Sequence, residues 1–389
     1  MDNLQNTPNL SSEPLKSQAH RILVVRPDRL GDVILSTPVF KALKNHFPKS
    51  SITALVQPSI KPLLDGLSEV DEVLTYEPKG RHRGLDGFFT LMEELKERKF
   101  DISISLQSQV RLAAACFGVG IPVRIGPLSK IHSFVFYNRG SRQRRSLVEM
   151  HEADYNLGLL RKIGIRSVTR TIPTSVHVSD LAQKWADDFF AVRGLNEGPG
   201  CVVVHPGMGG SALNWPEEHY IDLVKLLLSD GVNTVLTGGP AEGALIERIV
   251  KHIEGSLFKG NSLGRGGLTT YVAKEGEGLE QLAAIFSRAK VVVAPSTGPL
   301  HLANALKIPT VSFFSPIRVQ SAIRWGPYLS QEDQVSVLVP EVFCGQDRKC
   351  LGSECKYFLC MKSILPRQAV DEVRRHYARA VAADQGHTV

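Results

Sequence analysis

No apolar run in this sequence approaches the roughly 18 residues needed to cross a bilayer. The longest, Leu112 to Val123, is shorter and is broken by glycine. The opening stretch, MDNLQNTPNLSSEPLKSQAH, lacks the hydrophobic centre of a secretory signal. Residues 1–20 therefore read as a disordered tail, and the chain as a cytoplasmic protein whose six cysteines are expected to be reduced. Neither sign of charge is in large excess: 46 Lys and Arg against 39 Asp and Glu leave +7. This mild basicity suits an anionic substrate or membrane surface, but on charge alone solubility is sufficient reason for it; nucleic acid is not an expected partner. No Gly-x-Gly-x-x-Gly follows the first apolar run, because 26–31 carries a single glycine, which argues against a nicotinamide dehydrogenase. The Gly-rich stretch Gly260 to Gly278 lacks the Gly-Lys-Ser/Thr ending of a P-loop and reads as a long loop without chemistry.

What the chain does contain is apolar material for two cores. It has 389 residues, 43% hydrophobic and 22% charged, the balance of an ordinary globular protein with two domains. Ile22 to Val25 is a short apolar run bounded by arginines, as in a buried parallel strand. A helical pattern follows over Val33 to Phe47, with Pro38 either kinking it or marking its effective start. Strands are expected at Ser51 to Val56, Val70 to Thr75 and Asp101 to Leu106, with a helix at Leu91 to Lys99. A second alternation begins after about residue 175. Its expected strands are Val202 to Val204, Thr234 to Leu236, Val291 to Ala294 and Thr310 to Phe314. Its expected helices are Tyr220 to Leu228, Ala244 to His252, Leu279 to Ser287 and Pro299 to Leu306, and Arg367 to Ala382 reads as a closing amphipathic helix. The alternation predicts two successive Rossmann-like α/β domains with parallel sheets, 21–175 and 176–389.

In such sheets ligands sit beyond the carboxyl ends of the strands, where helix N-termini offer N–H groups to phosphates. Four junctions fit that place. The first is Arg26-Pro27-Asp28-Arg29-Leu30-Gly31-Asp32. A carboxylate in the first helical turn can take a proton from a sugar hydroxyl, or can simply complement the helix dipole. The second is His205 to Ser211, where Gly207 and Gly209 permit close approach of backbone to phosphate, followed by Asn214-Trp215-Pro216. The third is Thr237-Gly238-Gly239-Pro240-Ala241-Glu242, with Glu242 placed to accept from ribose hydroxyls or to sit exposed ahead of a helix. The fourth is Ser296-Thr297-Gly298-Pro299-Leu300-His301. There Ser296 and Thr297 can cap the helix and face a pyrophosphate, and His301 either touches ligand or packs beneath the loop.

Taken together in this order, the junctions resemble glycosyltransferase family 9, the heptosyltransferase family. Arg-Pro-Asp-Arg-Leu-Gly-Asp-Val with Ser-Thr-Pro stands at 26–33 and 36–38, His-Pro-Gly through Trp-Pro at 205–216, Gly-Gly-Pro-x-Glu at 238–242, and Thr-Gly-Pro-x-His-Leu-Ala at 297–303. The resemblance implies a GT-B fold whose two parallel sheets face across a cleft, with the acceptor in the first domain, the nucleotide sugar in the second, and the last helix crossing back. It implies Asp32 as the base of an inverting transfer. It also implies Gly207, Gly209, Ser211, Thr237, Gly238, Gly239, Glu242, Ser296, Thr297, Gly298 and His301 around an ADP-linked donor. The acceptor it implies is an acidic lipopolysaccharide inner core, with peripheral contact at the inner face of the inner membrane. Arg29, and Arg142 and Arg144 of the basic, aromatic stretch 124–146, would contact that acceptor, unless the stretch is only a solvated loop. No cofactor beyond the nucleotide sugar and no metal is implied, in keeping with the absence of an Asp-x-Asp pair.

Two departures from the family's pattern bear on the donor. Ser296 stands where many members carry Asp, and Leu213 where many carry a phosphate-contacting Lys; Arg318 or Arg324 would have to replace the latter. Another nucleotide sugar, an epimerase, and an inactive nucleotide-sugar-binding protein therefore stay as alternatives. Cys344, Cys350, Cys355 and Cys360 lack the C-x2-C spacing of familiar zinc sites and read as free thiols or a local clip.

Overall fold

The computed structural model describes residues 19–166, 170–195, 199–257, 266–274 and 278–386. Two compact units divide the chain, Met1–Arg145 with Glu152–Ile172, and Ser146–His151 with Pro173–Val389. The tail expected at 1–20 lies almost wholly outside the described residues. Its last residue, His20, is buried, donates a hydrogen bond from its backbone N–H to Ser50 Oγ (2.9 Å), and meets Phe47 edge-on.

The first unit is built on a sheet of six strands: β1 (Arg21–Val25), β2 (Ser51–Val56), β3 (Glu72–Thr75), β4 (Ile102–Ser105), β5 (Val123–Pro127) and β6 (Arg139–Ser141). Their order is β3-β2-β1-β4-β5-β6 and every pairing is parallel. Both faces of a parallel sheet are covered, which is why Ile22 to Val25 is apolar throughout rather than alternating. Leu23 and Val25 pack with Leu91, Leu95, Leu112 and Cys116 from the helices Asp86–Glu97 and Val110–Gly118. Each such side chain contributes about 1.5–3 kcal/mol by leaving water. The run Leu112 to Val123 is thus a core helix leading into a strand, not a membrane segment. The expected helix over Val33 to Phe47 is two helices, Leu30–Ile34 and Thr37–His46. Pro38 stands in the first turn of the second, where its missing N–H costs nothing. The stretch 124–146 is not one loop: β5, the short helix Ser133–Phe136 and β6 run through it.

The second unit repeats the design with β7 (Cys201–Val204), β8 (Asn233–Gly238), β9 (Leu268–Val272), β10 (Ala289–Pro295), β11 (Thr310–Phe313) and β12 (Val335–Leu338), in the parallel order β12-β11-β10-β7-β8-β9. β9 falls inside the stretch expected as a loop; its β-branched and aromatic Thr269, Thr270, Tyr271 and Val272 suit a partly exposed sheet edge. Of the same stretch, 260–265 and 275–277 lie outside the described residues. Trp215 is buried, stacks on Phe313 at 4.1 Å, and donates from Nε1 to the carbonyl of Ile364 (2.8 Å). The closing helix, Pro366–Gly386, packs along Glu217–Ser229, β10 and β11 of its own unit. Among the described residues no helix is long and apolar enough to cross a membrane.

Candidate functional site

Strand order in each sheet reverses once, between β1 and β4 in the first unit and between β7 and β10 in the second. At such a switch point the loops leaving the two strands diverge and open a crevice. The loop after β1 carries Asp28 and Arg29 and leads into the helix Leu30–Ile34, whose first turn carries Asp32; the loop after β4 carries Gln107 and Gln109. All five line a cavity of about 730 Å³, together with Gln57, Tyr76, Glu77 and Lys79 from the ends of β2 and β3.

Beneath that cavity lies a buried charge network. The Arg26 side chain is 3% exposed. Its Nη2 donates to Asp32 Oδ1 (2.6 Å) and to Glu152 Oε1 (3.3 Å), and its Nη1 to the carbonyl of Leu106 (3.1 Å) and to Asn156 Oδ1 (3.3 Å). Nε lies 2.8 Å from Asp28 Oδ2, at an angle unsuited to a hydrogen bond. Glu152 is also paired with Arg145. Two guanidinium groups thus face three carboxylates, one more than they neutralise. Burial pushes the Asp28 carboxyl up to about 6; Arg26 opposes the rise, and the Asp32 and Glu152 charges add to it. For Arg26 burial works the other way, yet Asp32, Glu152 and Asp28 together hold its pKa above the ordinary arginine value. The consequence for Asp32 is orientation. One oxygen is pinned by Arg26, while among the described residues the other makes no hydrogen bond, and the side chain keeps 23% exposure at the cavity.

In the second unit the loop after β7 begins with His205, whose Nδ1 lies 3.0 Å from Thr237 Oγ1 and whose Nε2 lies 3.3 Å from Glu242 Oε2. The same Glu242 oxygen accepts from the N–H of Gly239 (2.6 Å). Burial would raise the Glu242 carboxyl, but His205 and the Gly239 N–H outweigh it and hold it below the ordinary value. Glu242 is therefore turned inward onto its own loop. It also explains Gly207: a Cβ there would lie 2.0 Å from the Glu242 carboxylate, so the glycine is required by packing as well as by any ligand. Gly238 closes β8 with a Cβ position 3.0 Å from Ile246. Gly209 and Ser211 are exposed, with Gly210 between them at φ +71°. Beyond β10, Ser296 is buried and Thr297 stands at the N-cap of the helix Gly298–Ala305 without capping it through its side chain, contrary to expectation. His301 is buried, with no partner for Nδ1 among the described residues, and burial assisted by His151 pulls its pKa down to about 3. It packs as a neutral ring beneath the loop.

Of the residues expected on the acceptor side, Asp32 and Arg29 share the cavity; Arg142 and Arg144 are exposed and are not among its lining. Leu213 packs against the second core, and Arg318 pairs with Asp347 (3.3 Å). The four late cysteines are free and line one largely apolar cavity of about 420 Å³. Among the described residues no three metal-binding side chains are gathered for an ion. Sequence reasoning missed the glutamines, Tyr76 and Glu152. The glutamines after β4 had a signal, since they follow the strand beside β1; Glu152 had none.

The chain matches glycosyltransferase family 9 (heptosyltransferase) over residues 88–353. It belongs to that family. A putative glycosyltransferase of Haemophilus influenzae is 30% identical over 325 residues, covering 82% of this chain and 89% of the relative. The family 9 glycosyl transferase of Veillonella parvula superposes with a TM-score of 0.77 at 21% identity, covering 95% of this chain and 100% of that one. The Escherichia coli structure named ADP-heptose lipopolysaccharide heptosyltransferase II gives 0.71 at 21% identity, covering 92% and 99%. The two parallel six-stranded sheets are accordingly those of a GT-B glycosyltransferase, and this family 9 enzyme is related to the lipopolysaccharide heptosyltransferases.

Proposed function

We propose that this family 9 enzyme moves a heptose from ADP-heptose onto a lipopolysaccharide inner-core or related glycan acceptor, with inversion. The first unit would hold the acceptor and the base, the second the donor. The observation that carries the reading is Asp32: a carboxylate pinned at one oxygen by Arg26, with the other oxygen unengaged in a cavity lined by sugar-compatible amides. That oxygen takes the proton of an acceptor hydroxyl, and the hydroxyl oxygen bonds to the anomeric carbon as the bond to the diphosphate breaks. A single displacement inverts the centre. The departing diphosphate is met by the N–H groups around Gly209–Ser211 and by the N-terminus of Gly298–Ala305. The ADP-linked heptose is supported by the name of the E. coli structural relative. Ser296 and Leu213 favour a second reading, in which the same chemistry uses another nucleotide sugar.

The test is nucleotide release from ADP-heptose and from UDP- and GDP-sugars in the presence of acceptor, repeated with Asp32→Asn. ADP-heptose alone should turn over, and the variant should lose about 100-fold or more in rate while still binding donor. Turnover with another sugar nucleotide only would replace the donor, no turnover with any would make the chain a binding protein, and an active Asp32→Asn would remove Asp32 from the chemistry.

A further inference from the structure

Between Ile102 and Arg145 the first unit carries seven lysines and arginines and not one aspartate or glutamate. In the same stretch large apolar side chains stand in solvent. Ile131 is 90% exposed, Val135 64% and Phe134 56%. They are spaced i, i+3, i+4 on turns closed by hydrogen bonds from Ser133, Phe134 and Val135 back to Lys130, Ile131 and His132, so they share one face. Phe117 extends the patch, its ring against Phe136 and beneath the Arg124 guanidinium. Lys130 flanks the turn. Leu128 donates to the carbonyl of Ser141 (2.8 Å), which keeps the chain entering the turn beside the chain leading to Arg142 and Arg144. Among the described residues Lys130, Arg142 and Arg144 pair with no carboxylate.

We propose that this protruding turn, Ile131, Phe134 and Val135 with the cations around it, docks the enzyme on an anionic lipid bilayer. Apolar side chains at the tip of a convex turn reach into the acyl boundary, while the surrounding cations meet the headgroups; each mode of contact reinforces the other. A protein partner fits less well. A stable interface uses about 20–30 residues a side, and here a handful of apolar side chains stand on a convex tip. The position of the turn gives docking a purpose. Ser108 Oγ lies 2.8 Å from Nε2 of His132, inside the turn, and its chain neighbours Gln107 and Gln109 line the Asp32 cavity. A membrane touching the turn therefore lies beside the cavity mouth, where a lipid-anchored acceptor would enter. That consequence rests on the proposed glycolipid acceptor; the docking itself does not.

The test uses the full chain without donor or acceptor, sedimented with vesicles of equal parts phosphatidylglycerol and phosphatidylethanolamine and, separately, of phosphatidylcholine. Binding is expected to the first and not the second. Lys130→Gln should weaken it about fivefold, and Ile131→Ser with Phe134→Ser about tenfold or more, with unchanged thermal unfolding. Turnover of a delipidated, water-soluble acceptor should be the same for the apolar double variant as for the parent. Three outcomes would overturn the proposal: no binding to the anionic vesicles, binding indifferent to the double variant, or a self-association of the free chain that the double variant abolishes. Failure of lipid binding with intact turnover would leave the proposed reaction standing; the converse would leave the docking surface standing.

Discussion

Asp28→Asn exchanges one oxygen for a nitrogen at the surplus carboxylate of the Arg26 network. The native side chain titrates near 6 against an ordinary 3.8, so the folded state holds this proton more tightly than the unfolded one. Between those two values the native protein binds more protons, and stability falls as pH rises. Ionised Asp28 thus weighs against folding at neutral pH, and the gap between about 6 and 3.8 corresponds to about 3 kcal/mol. Asparagine keeps the shape and never ionises. Urea unfolding of parent and variant, followed across pH 4 to 8 by circular dichroism, should show the variant gaining on the parent as pH rises through 6, by about 3 kcal/mol at the plateau. Below pH 4 the advantage should vanish. A variant less stable than the parent at pH 8 would refute the reasoning, because the ion pair with Arg26 would then outweigh the cost of burying the charge.

Glu152→Ala removes the acceptor that Arg26 and Arg145 share and should destabilise the first unit by about 1–3 kcal/mol through the lost charge-assisted hydrogen bonds, whereas Glu152→Gln should fold and instead lower kcat more than it raises KM, since Asp32 would lose its fixed orientation; an unchanged kcat would show that Asp32 needs no such support. Gly207→Ala should displace the Glu242 carboxylate, which a Cβ would meet at 2.0 Å; calorimetry should read weakened nucleotide binding, and unaltered affinity would separate that loop from the donor. His301 carries its proton far less readily folded, near 3, than unfolded, near 6.5. Its contribution is complete above 6.5 and is lost as pH falls toward 3, so His301→Gln should flatten the acid limb of the stability profile between those values. Trp215→Phe removes the bond to Ile364 and should cost about 1 kcal/mol by denaturant unfolding; a neutral change would mean that stacking on Phe313 alone holds the ring.

Much of the fold was legible because parallel strands buried on both faces are written as continuous apolar runs. Ile22 to Val25, Cys201 to Val204 and Val291 to Ala294 announce themselves, and the helices between them follow from the 3.6-residue spacing. Legibility failed where burial is one-sided or the element short. β9 and β6 lie at sheet edges, where β9 carries two polar threonines and is only partly buried, and β6 is Arg-Gly-Ser, which mimics a loop. At the site the glycines and carboxylates stood in recognisable places. Their partners did not: nothing in the string joins Arg26 to Glu152, or Gly207 to Glu242.

The sequence by itself determined the two-fold alternation, the junctions that carry polar residues at strand ends, and the family to which they belong, because local periodicity and loop chemistry are one-dimensional properties. Only the tertiary structure decided that Asp32 has one oxygen tied and one open, that His301 is sealed away as a neutral ring, and that Ile131, Phe134 and Val135 stand out in water beside the cavity. Charge state, orientation and exposure depend on neighbours brought together over a hundred residues of chain, and the dielectric and hydrogen-bond environment they create exists only once both faces of each sheet are packed.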